Sequence, residues 1–189
     1  DIDKAGARKH YGLSENAFVL GCIGGTRYDK GLDILLKALR SVTGDFELLV
    51  AGAEDAIKRE EIEELARPYR DRVKLHLSFL TDEEFEMAIQ AVDAIVLPYR
   101  KTFNGASGPL GEGVAKGKII IAANHGSLGD IVEKNHLGYT FESENIEALK
   151  KVLNMAIQRT NYTYDEKANA YKNKLSINEF KKQYCKLYF

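Results

Sequence analysis

The length, composition and charge of the chain exclude several classes of protein. With 189 residues, 44% of them hydrophobic, it is long enough for one large domain with a full apolar core. Lys and Arg number 27 against 28 Asp and Glu, and this net charge of −1 calls for neither nucleic acid nor an anionic membrane as a partner. The two cysteines, Cys22 and Cys185, form no CxxC pair, which indicates a reducing cytoplasm, and the four histidines never fall at metal-ligand spacing.

The first elements along the chain predict a strand, a glycine-rich turn and a helix. Residues 3–11 are expected to form a short helix that Gly12 ends. The apolar run at residues 18–23 predicts a buried strand, and Gly24-Gly25 follow it directly. After the polar turn that ends at Gly31, leucines at positions 32, 35, 36 and 39 have the spacing of a helix.

The middle of the chain continues the alternation of strands and helices. Apolar or alternating segments predict strands at residues 46–51, 73–77 and 94–97. Between the first two, residues 57–66 predict a charged surface helix that stops near Pro68. Thr81 and Glu84 have the spacing of a capping box, which predicts the start of another helix.

A second glycine-rich segment lies between residues 103 and 127. Residues 105–108 have small side chains, as a backbone needs where it approaches a ligand closely. Pro109 suits the first turn of a helix whose apolar face is formed by Leu110 and Val114. We expect Glu112 in that first turn, pointing away from the apolar face, where it either meets the helix dipole or contacts a ligand.

The remaining segments complete an α/β pattern. A β-branched strand at residues 119–122 precedes a helix at 128–133, a strand at 139–141 and a helix at 145–158. The chain is therefore expected to form a Rossmann-like three-layer sandwich with a mostly parallel sheet over residues 1–160. Residues 161–189 are expected to be a helical tail that packs back on this fold, ending in an amphipathic helix formed around Ile177, Phe180, Tyr184 and Leu187.

The two glycine-rich loops point to one ligand. Ligands of open parallel sheets bind beyond the carboxyl ends of the strands, and both loops leave strands at that end. Arg27 and Lys30 suit a diphosphate, whose oxygens the N–H groups of the second loop would fix, and Glu112 suits the hydroxyls of a ribose. The alternative for the two cations is a solvated turn. A Rossmann dehydrogenase fits less well because the first strand lacks G-x-G-x-x-G, and neither a Walker A nor a G-x-S-x-G motif is present.

These segments resemble a known family. Residues 24–36, GGTRYDKGLDILL, resemble the R-x-x-K-G element of glycosyltransferase family 4, and residues 107–117, SGPLGEGVAKG, resemble its E-x7-E segment. Residues 126–132 and 137–141 resemble the "G…E-I-V…G" stretch that follows. Over about residues 11–153, the chain is similar to the C-terminal, donor-binding domain of these GT-B glycosyltransferases.

The resemblance implies a function and a site. It implies a retaining hexosyltransferase of polysaccharide biosynthesis that transfers a sugar from a UDP- or GDP-sugar to a glycan or lipid-linked acceptor, with no cofactor and no metal. It also implies that an N-terminal acceptor domain is missing and that the isolated domain is inactive. The protein is expected to be cytoplasmic, and the missing half would bind it peripherally to the membrane. The donor-binding residues that it implies are Gly25, Arg27, Lys30, Asn104, Ser107, Gly108, Leu110 and Glu112.

Two departures from the family's pattern leave alternative functions open. Asn104 stands where the family has the first glutamate of E-x7-E, near the donor sugar, and Ile119 stands where it has a proline. An amide can bond a hydroxyl but carries no charge to stabilise an oxocarbenium-like centre. The alternative functions are a non-catalytic nucleotide or sugar-phosphate binding module and a structural or interaction domain with a tyrosine-rich tail. Residues 78–80 either pack near the base or belong to the core.

Overall fold

The computed structural model describes residues 3–159 and 162–175, and these form a sandwich around one six-stranded sheet. All strand pairs are parallel, in the order β3-β2-β1-β4-β5-β6. This confirms the predicted Rossmann-like α/β fold. The strands are β1 (Phe18–Ile23), β2 (Phe46–Ala51), β3 (Val73–His76), β4 (Ala94–Leu97), β5 (Ile119–Ala123) and β6 (Gly138–Phe141).

Helices cover both faces of the sheet. Successive residues of a strand point to opposite faces, so Ala94 and Val96 pack in one core while Ile95 and Leu97 pack in the other. The first core lies under α2, α3 and α7, and the second under α1, α4, α5, α6 and α8. The helices are α1 (Lys4–His10), α2 (Leu32–Leu39), α3 (Arg59–Ala66), α4 (Asp82–Ala91), α5 (Gly108–Ala115), α6 (Gly126–Lys134), α7 (Ile146–Gln158) and α8 (Glu166–Lys174).

Local signals account for most of the helix ends. Thr81 and Glu84 form the predicted capping box at the start of α4, and the Asp3 carboxylate caps α1. None of the helices in the described ranges is long and apolar enough to cross a membrane.

The predicted start of α3 is wrong by two residues. The backbone of Ile57 is bound to Thr26: its N–H donates to the Thr26 carbonyl at 3.0 Å, and its own carbonyl accepts from Thr26 Oγ1 at 2.7 Å. Ile57 is 3% exposed and packs in the core from outside the helix. Because its backbone bonds are used in this way, the helix begins at Arg59 instead.

Residues 162–175 pack against the amino-terminal end of the sheet. Tyr164 Oη donates to the Lys118 carbonyl at 2.6 Å, next to the start of β5, and Ala168 of α8 is fully buried. The amphipathic helix expected around Ile177, Phe180, Tyr184 and Leu187 lies outside the described residues.

The topology creates a crevice at the carboxyl edge of the sheet. The order of the strands reverses between β1 and β4, which pair directly, and ligands of this fold bind at such a point. Two loops meet there: the first loop (residues 24–31) follows β1, and the second loop (residues 98–107) follows β4. They touch at Gly31, which has a φ of 66° and where a Cβ would lie 2.0 Å from the Pro98 carbonyl oxygen, so this position requires glycine.

Candidate functional site

The exposed cation of the first loop is held by a neighbouring carboxylate. The Arg27 side chain is 55% exposed and forms a forked ion pair with Asp29, in which Nε lies 3.0 Å from Oδ1. The hydrogen bonds to Asp29 raise the pKa of Arg27 above its ordinary value. Arg27 is thus charged and oriented by a residue of its own loop, and an anionic ligand would compete with Asp29 for it.

Among the described residues, Lys30 is the cation of the first loop that has no protein partner. A Cβ on Gly24 would lie 2.6 Å from Lys30 Nζ, so the ammonium lies directly over that glycine. Burial lowers the pKa of Lys30, and burial also raises the pKa of the nearby Cys22 thiol to about 12, so the thiol is neutral. Within residues 3–159 and 162–175, Lys30 Nζ makes neither a hydrogen bond nor an ion pair. A partly buried ammonium of this kind favours an anionic partner.

The second loop presents a row of open amides. Within the described ranges, the backbone N–H groups of residues 104–108 donate to no protein acceptor. Ser107 is the N-cap of α5, and its Oγ accepts from the Leu110 N–H at 3.3 Å. The amides of the loop, together with the start of α5, therefore form the anion-binding end of the helix.

The position of Glu112 differs from the expectation. The helix begins at Gly108, with Ser107 as its cap and Pro109 as its second residue, so Glu112 lies in the second turn and not in the first. Its side chain is exposed, and within the described part of the chain no hydrogen bond or ion pair engages it. A contact of Glu112 with the helix dipole is weakened by this shift, since the dipole acts mainly in the first turn.

Tyr99 connects the base of the second loop to the cap of α5. Tyr99 is 4% exposed and its ring packs against Phe103 with the ring centroids 4.3 Å apart, while its hydroxyl lies 3.2 Å from Ser107 Oγ. Burial raises the pKa of Tyr99, so the hydroxyl stays protonated. Its carbonyl accepts from Ser143 Oγ at 3.1 Å, which attaches the loop after β6 as well.

Arg100 joins the two loops. Its Nη2 lies 2.8 and 2.9 Å from the two carboxylate oxygens of Asp33, and Nη1 donates to the Tyr28 carbonyl at 2.5 Å. Its guanidinium lies 3.8 Å from the centroid of the Tyr28 ring. Burial alone would raise the pKa of Asp33, but the hydrogen bonds from Arg100 and Lys37 lower it, so the pair is ionised.

A cavity of about 390 Å³ lies beside the second loop. Asn104 is exposed at its edge, and no carboxylate is part of its lining. Among the residues that the structure describes, no three His, Cys, Asp or Glu side chains lie together as a metal site. The residues lining the cavity are Lys101, Thr102, Phe103, Asn104, Gly105, His125, Gly126, Ser127 and Leu128.

Comparison with known proteins identifies the family. The family described as "Glycosyl transferases group 1" matches residues 3–174. The chain belongs to the group 1 glycosyl transferases. This group 1 domain is 27% identical over 167 residues to the glycogen synthase of Thioalkalivibrio sulfidiphilus, a match that covers 82% of this chain and 34% of that protein. It spans only 27% to 34% of the length of the curated relatives it matches.

Solved structures of GT-B glycosyltransferases share the fold of this group 1 domain. The Anabaena protein HepE in complex with UDP is 21% identical, with a TM-score of 0.78 over 98% of this chain and 52% of that chain. The catalytic domain of starch synthase IV from Arabidopsis thaliana, bound to ADP and acarbose, is 21% identical, with a TM-score of 0.70 over 98% of this chain and 41% of that chain. The predicted GT-B fold is confirmed at this level.

The structure distributes the site residues expected for the group 1 domain over two adjacent loops. Because β1 and β4 are parallel neighbours, both loops leave the same edge of the sheet. The Leu110 side chain is 6% exposed and packs in the core, so it is the backbone of Leu110 that faces the capped end of α5. In the first loop lie Gly25, Arg27 and Lys30, and in the second loop and α5 lie Asn104, Ser107, Gly108, Leu110 and Glu112.

Several residues of the group 1 site were not found from the sequence. Arg100 follows the end of a buried strand by three residues, which is where ligand-binding residues of such folds are found, and this was a usable signal. Asp33 lies in the first turn of α2, where an acidic residue has an ordinary explanation in the helix dipole. Of residues 78–80, Phe79 contradicts the core alternative because the residue is 85% exposed, whereas Leu80 is half-buried and packs against the second core.

Proposed function

We propose that this group 1 domain is the donor-binding half of a retaining GT-B glycosyltransferase of family 4. It would transfer a hexose from a nucleoside-diphosphate sugar, a UDP- or GDP-sugar, to a glycan or lipid-linked acceptor in polysaccharide biosynthesis. The observation that carries the proposal is the meeting of two anion-binding loops at the switch point of the sheet. Among the described residues, the first loop has the ammonium of Lys30 without a protein partner beside Arg27, and the second loop with the first residue of α5 has five consecutive open amides.

The proposed roles follow from the chemistry of each group. Arg27 and Lys30 bind the diphosphate as charged donors, and the amides of residues 104–108 fix its oxygens. Glu112, exposed and without a protein partner in the described ranges, accepts the two ribose hydroxyls. Asn104 lies at the cavity beside the second loop, which we assign to the donor sugar. HepE with UDP and starch synthase IV with ADP support a nucleoside diphosphate and differ in the base.

The proposed mechanism is electrostatic. When the bond between the sugar and the diphosphate breaks, negative charge grows on the departing phosphate oxygen. The ammonium of Lys30, the guanidinium of Arg27 and the amide row stabilise that charge without reorganising, and no metal is needed in this scheme. The described lining of the cavity assigned to the sugar has no carboxylate, so the proposed retaining transfer involves no covalent intermediate on a side chain of that lining.

The complete enzyme would contain a second domain. We propose that an acceptor-binding domain faces the crevice, that residues 1–160 bind the donor, and that residues 161–189 form a tail that packs back on the fold. The greater length of the relatives supports this arrangement, since the chain spans about a third or less of them. We propose a cytoplasmic location, because the nucleotide-sugar donor is water-soluble. The second domain would lie at the membrane surface, where a lipid-linked acceptor is found.

Calorimetric titration with UDP, GDP, ADP and their common sugar conjugates tests the donor assignment. The wild type should bind at least one of them, and Arg27→Ala or Lys30→Ala should weaken that binding about tenfold or more, because each removes a charge-assisted hydrogen bond. Arg59→Ala is the matched control, since Arg59 is a comparably exposed arginine paired with Glu63 on α3. Undiminished affinity in both loop variants would show that Arg27 and Lys30 belong to a solvated turn and do not bind the ligand.

A second candidate function has one observation in its favour. Asn104 is uncharged, exposed and at the proposed sugar cavity, and the described lining of that cavity has no carboxylate to stabilise an oxocarbenium-like centre. A non-catalytic module that binds a nucleotide or sugar phosphate would have this property. Turnover of a nucleotide sugar by the full-length protein supports the transferase, whereas tight binding of the same nucleotide sugar without turnover supports the module.

A further inference from the structure

Arg100 is buried, and both of its terminal nitrogens are bonded to protein partners. Its side chain is 8% exposed. Nη2 bonds both oxygens of Asp33, Nη1 bonds the Tyr28 carbonyl, and Nε lies 3.8 Å from a Glu144 carboxylate oxygen. The face of its guanidinium is covered by the Tyr28 ring. Both terminal nitrogens of the guanidinium are therefore bonded to protein acceptors, while Nε is too far from Glu144 for a hydrogen bond, and its 8% exposure leaves it little surface to offer a ligand.

The contacts of Arg100 converge on the turn that follows Arg27 and contains Lys30. The turn is the 3₁₀ segment Tyr28–Lys30, and it has no side-chain cap of its own. Arg100 binds the Tyr28 carbonyl and stacks on the Tyr28 ring, and its backbone N–H donates to the Asp29 carbonyl at 2.8 Å. The carboxylate of Asp29 in turn orients Arg27. The directions of both cations therefore depend on where Arg100 holds this turn.

We propose that Arg100, anchored by Asp33, is a positioning residue for diphosphate binding. It fixes the turn so that Arg27 and Lys30 present their charges to the same ligand, and it does so without touching that ligand. The inference rests on the proposed function, because the ligand of the two cations is the diphosphate. An arginine suits this position since its planar fork bonds a carboxylate and a carbonyl at once while its face stacks on an aromatic ring. Lysine offers a single point charge and cannot make all three contacts.

A purely structural role is the competing explanation. Replacing a buried ion pair by apolar side chains is often neutral for stability, so burial of Arg100 and Asp33 does not by itself show what the pair contributes. The chain contains a matched pair at the opposite edge of the sheet. Arg8 is 3% exposed and its Nη2 lies 2.6 Å from Asp93 Oδ2, in front of β4. Arg8→Met thus removes an equally buried guanidinium far from both loops.

A double-mutant cycle between Arg100 and Arg27 separates the two explanations. Calorimetry measures the dissociation constant of UDP, GDP or ADP, whichever the wild type binds, for Arg100→Met, Arg27→Ala and the double variant. If Arg100 acts through Arg27, each single change should weaken binding about tenfold, and adding Arg27→Ala to Arg100→Met should weaken it less than about threefold further. Arg8→Met should bind like the wild type even where its melting temperature falls.

The remaining outcomes are decisive as well. Wild-type affinity in Arg100→Met, or losses that simply multiply in the double variant, would overturn the positioning role while leaving the proposed function intact. Failure of the wild type to bind any of the three nucleotides would overturn both. Where Arg100→Met does not fold, Arg100→Lys replaces it, because it keeps the charge opposite Asp33 and loses only the fork and the stack. Its binding should be weakened severalfold, and wild-type affinity in Arg100→Lys would again contradict the positioning role.

Discussion

Replacing Gly24 by alanine should displace the Lys30 ammonium without removing it. Gly24 has a φ of 117°, and the new Cβ would lie 2.6 Å from Lys30 Nζ, well inside van der Waals contact. The new Cβ meets the end of a flexible side chain, so the Lys30 side chain should move while the backbone stays in place. The substitution is therefore a test of where the ammonium lies, and not of whether a charge is present.

Two costs of different size and kind are expected. The positive φ is a conformation that alanine adopts at a cost of about 1–3 kcal/mol, and this reduces the free energy of unfolding. Loss of a charge-assisted hydrogen bond to the diphosphate is worth roughly 1.5–3 kcal/mol, which corresponds to an affinity about tenfold to a hundredfold weaker. The first cost appears in folding and the second only in binding.

Gly12 provides the control for the backbone cost. It has a φ of 64°, and a Cβ there would have no neighbour within 4 Å. Urea unfolding should show both Gly12→Ala and Gly24→Ala destabilised, whereas calorimetry with the nucleoside diphosphate should show lost affinity for Gly24→Ala alone. In a Lys30→Ala background, Gly24→Ala should cause almost no further loss. Wild-type affinity in Gly24→Ala would refute a role for the ammonium at this place.

Three further outcomes are expected. Glu112→Ala should weaken nucleotide binding more than it lowers the free energy of unfolding. The variant should also discriminate between ribose and 2′,3′-dideoxyribose nucleotides far less than the wild type does. Equal discrimination by both proteins would show that Glu112 does not contact the ribose. Burial lowers the pKa of Lys118 from 10.5 to about 8, so the unfolded chain binds more protons in that window. The contribution of Lys118 to stability should thus rise by about 3 kcal/mol between these pH values, measured by chemical denaturation as the difference between the wild type and Lys118→Met, which cancels the opposing titration of the buried tyrosines and Cys22. The isolated chain should unfold cooperatively and transfer no sugar, which an assay with labelled nucleotide sugars checks.

The fold could be predicted because its signals are local and repeated. Continuous apolar runs gave the buried strands with their ends within about a residue, since a parallel sheet covered on both faces needs such runs. Thr81 and Glu84 satisfied each other across one helical turn, which sequence spacing alone specifies. Where a tertiary contact competed with a local pattern, the prediction was wrong. Ile57 extends the helical pattern of α3, but Thr26, far away along the chain, takes its backbone bonds.

The site was predictable only in part, for a related reason. The loops themselves are marked by glycines and by Arg27 and Lys30, and sequence order places them after neighbouring strands. The cap of α5 was ambiguous because Pro109 is compatible with either of the first two helical positions, and the choice of Ser107 as cap moved Glu112 by one position, from the end of the first turn into the second. The partner of Arg100 was not predictable at all, since Asp33 lies 67 positions earlier in the chain and meets it only through the pairing of β1 with β4.

The pairing of charges in the described residues ranks the three cations at the crevice. Asp33 neutralises Arg100, and Asp29 neutralises Arg27. Lys30 is left as the uncompensated charge, over a glycine and beside a neutral thiol. A diphosphate that enters meets Lys30 and the open amides first, and gains Arg27 only by displacing Asp29. Affinity should therefore depend more on Lys30 than on Arg27, although both belong to the same short motif.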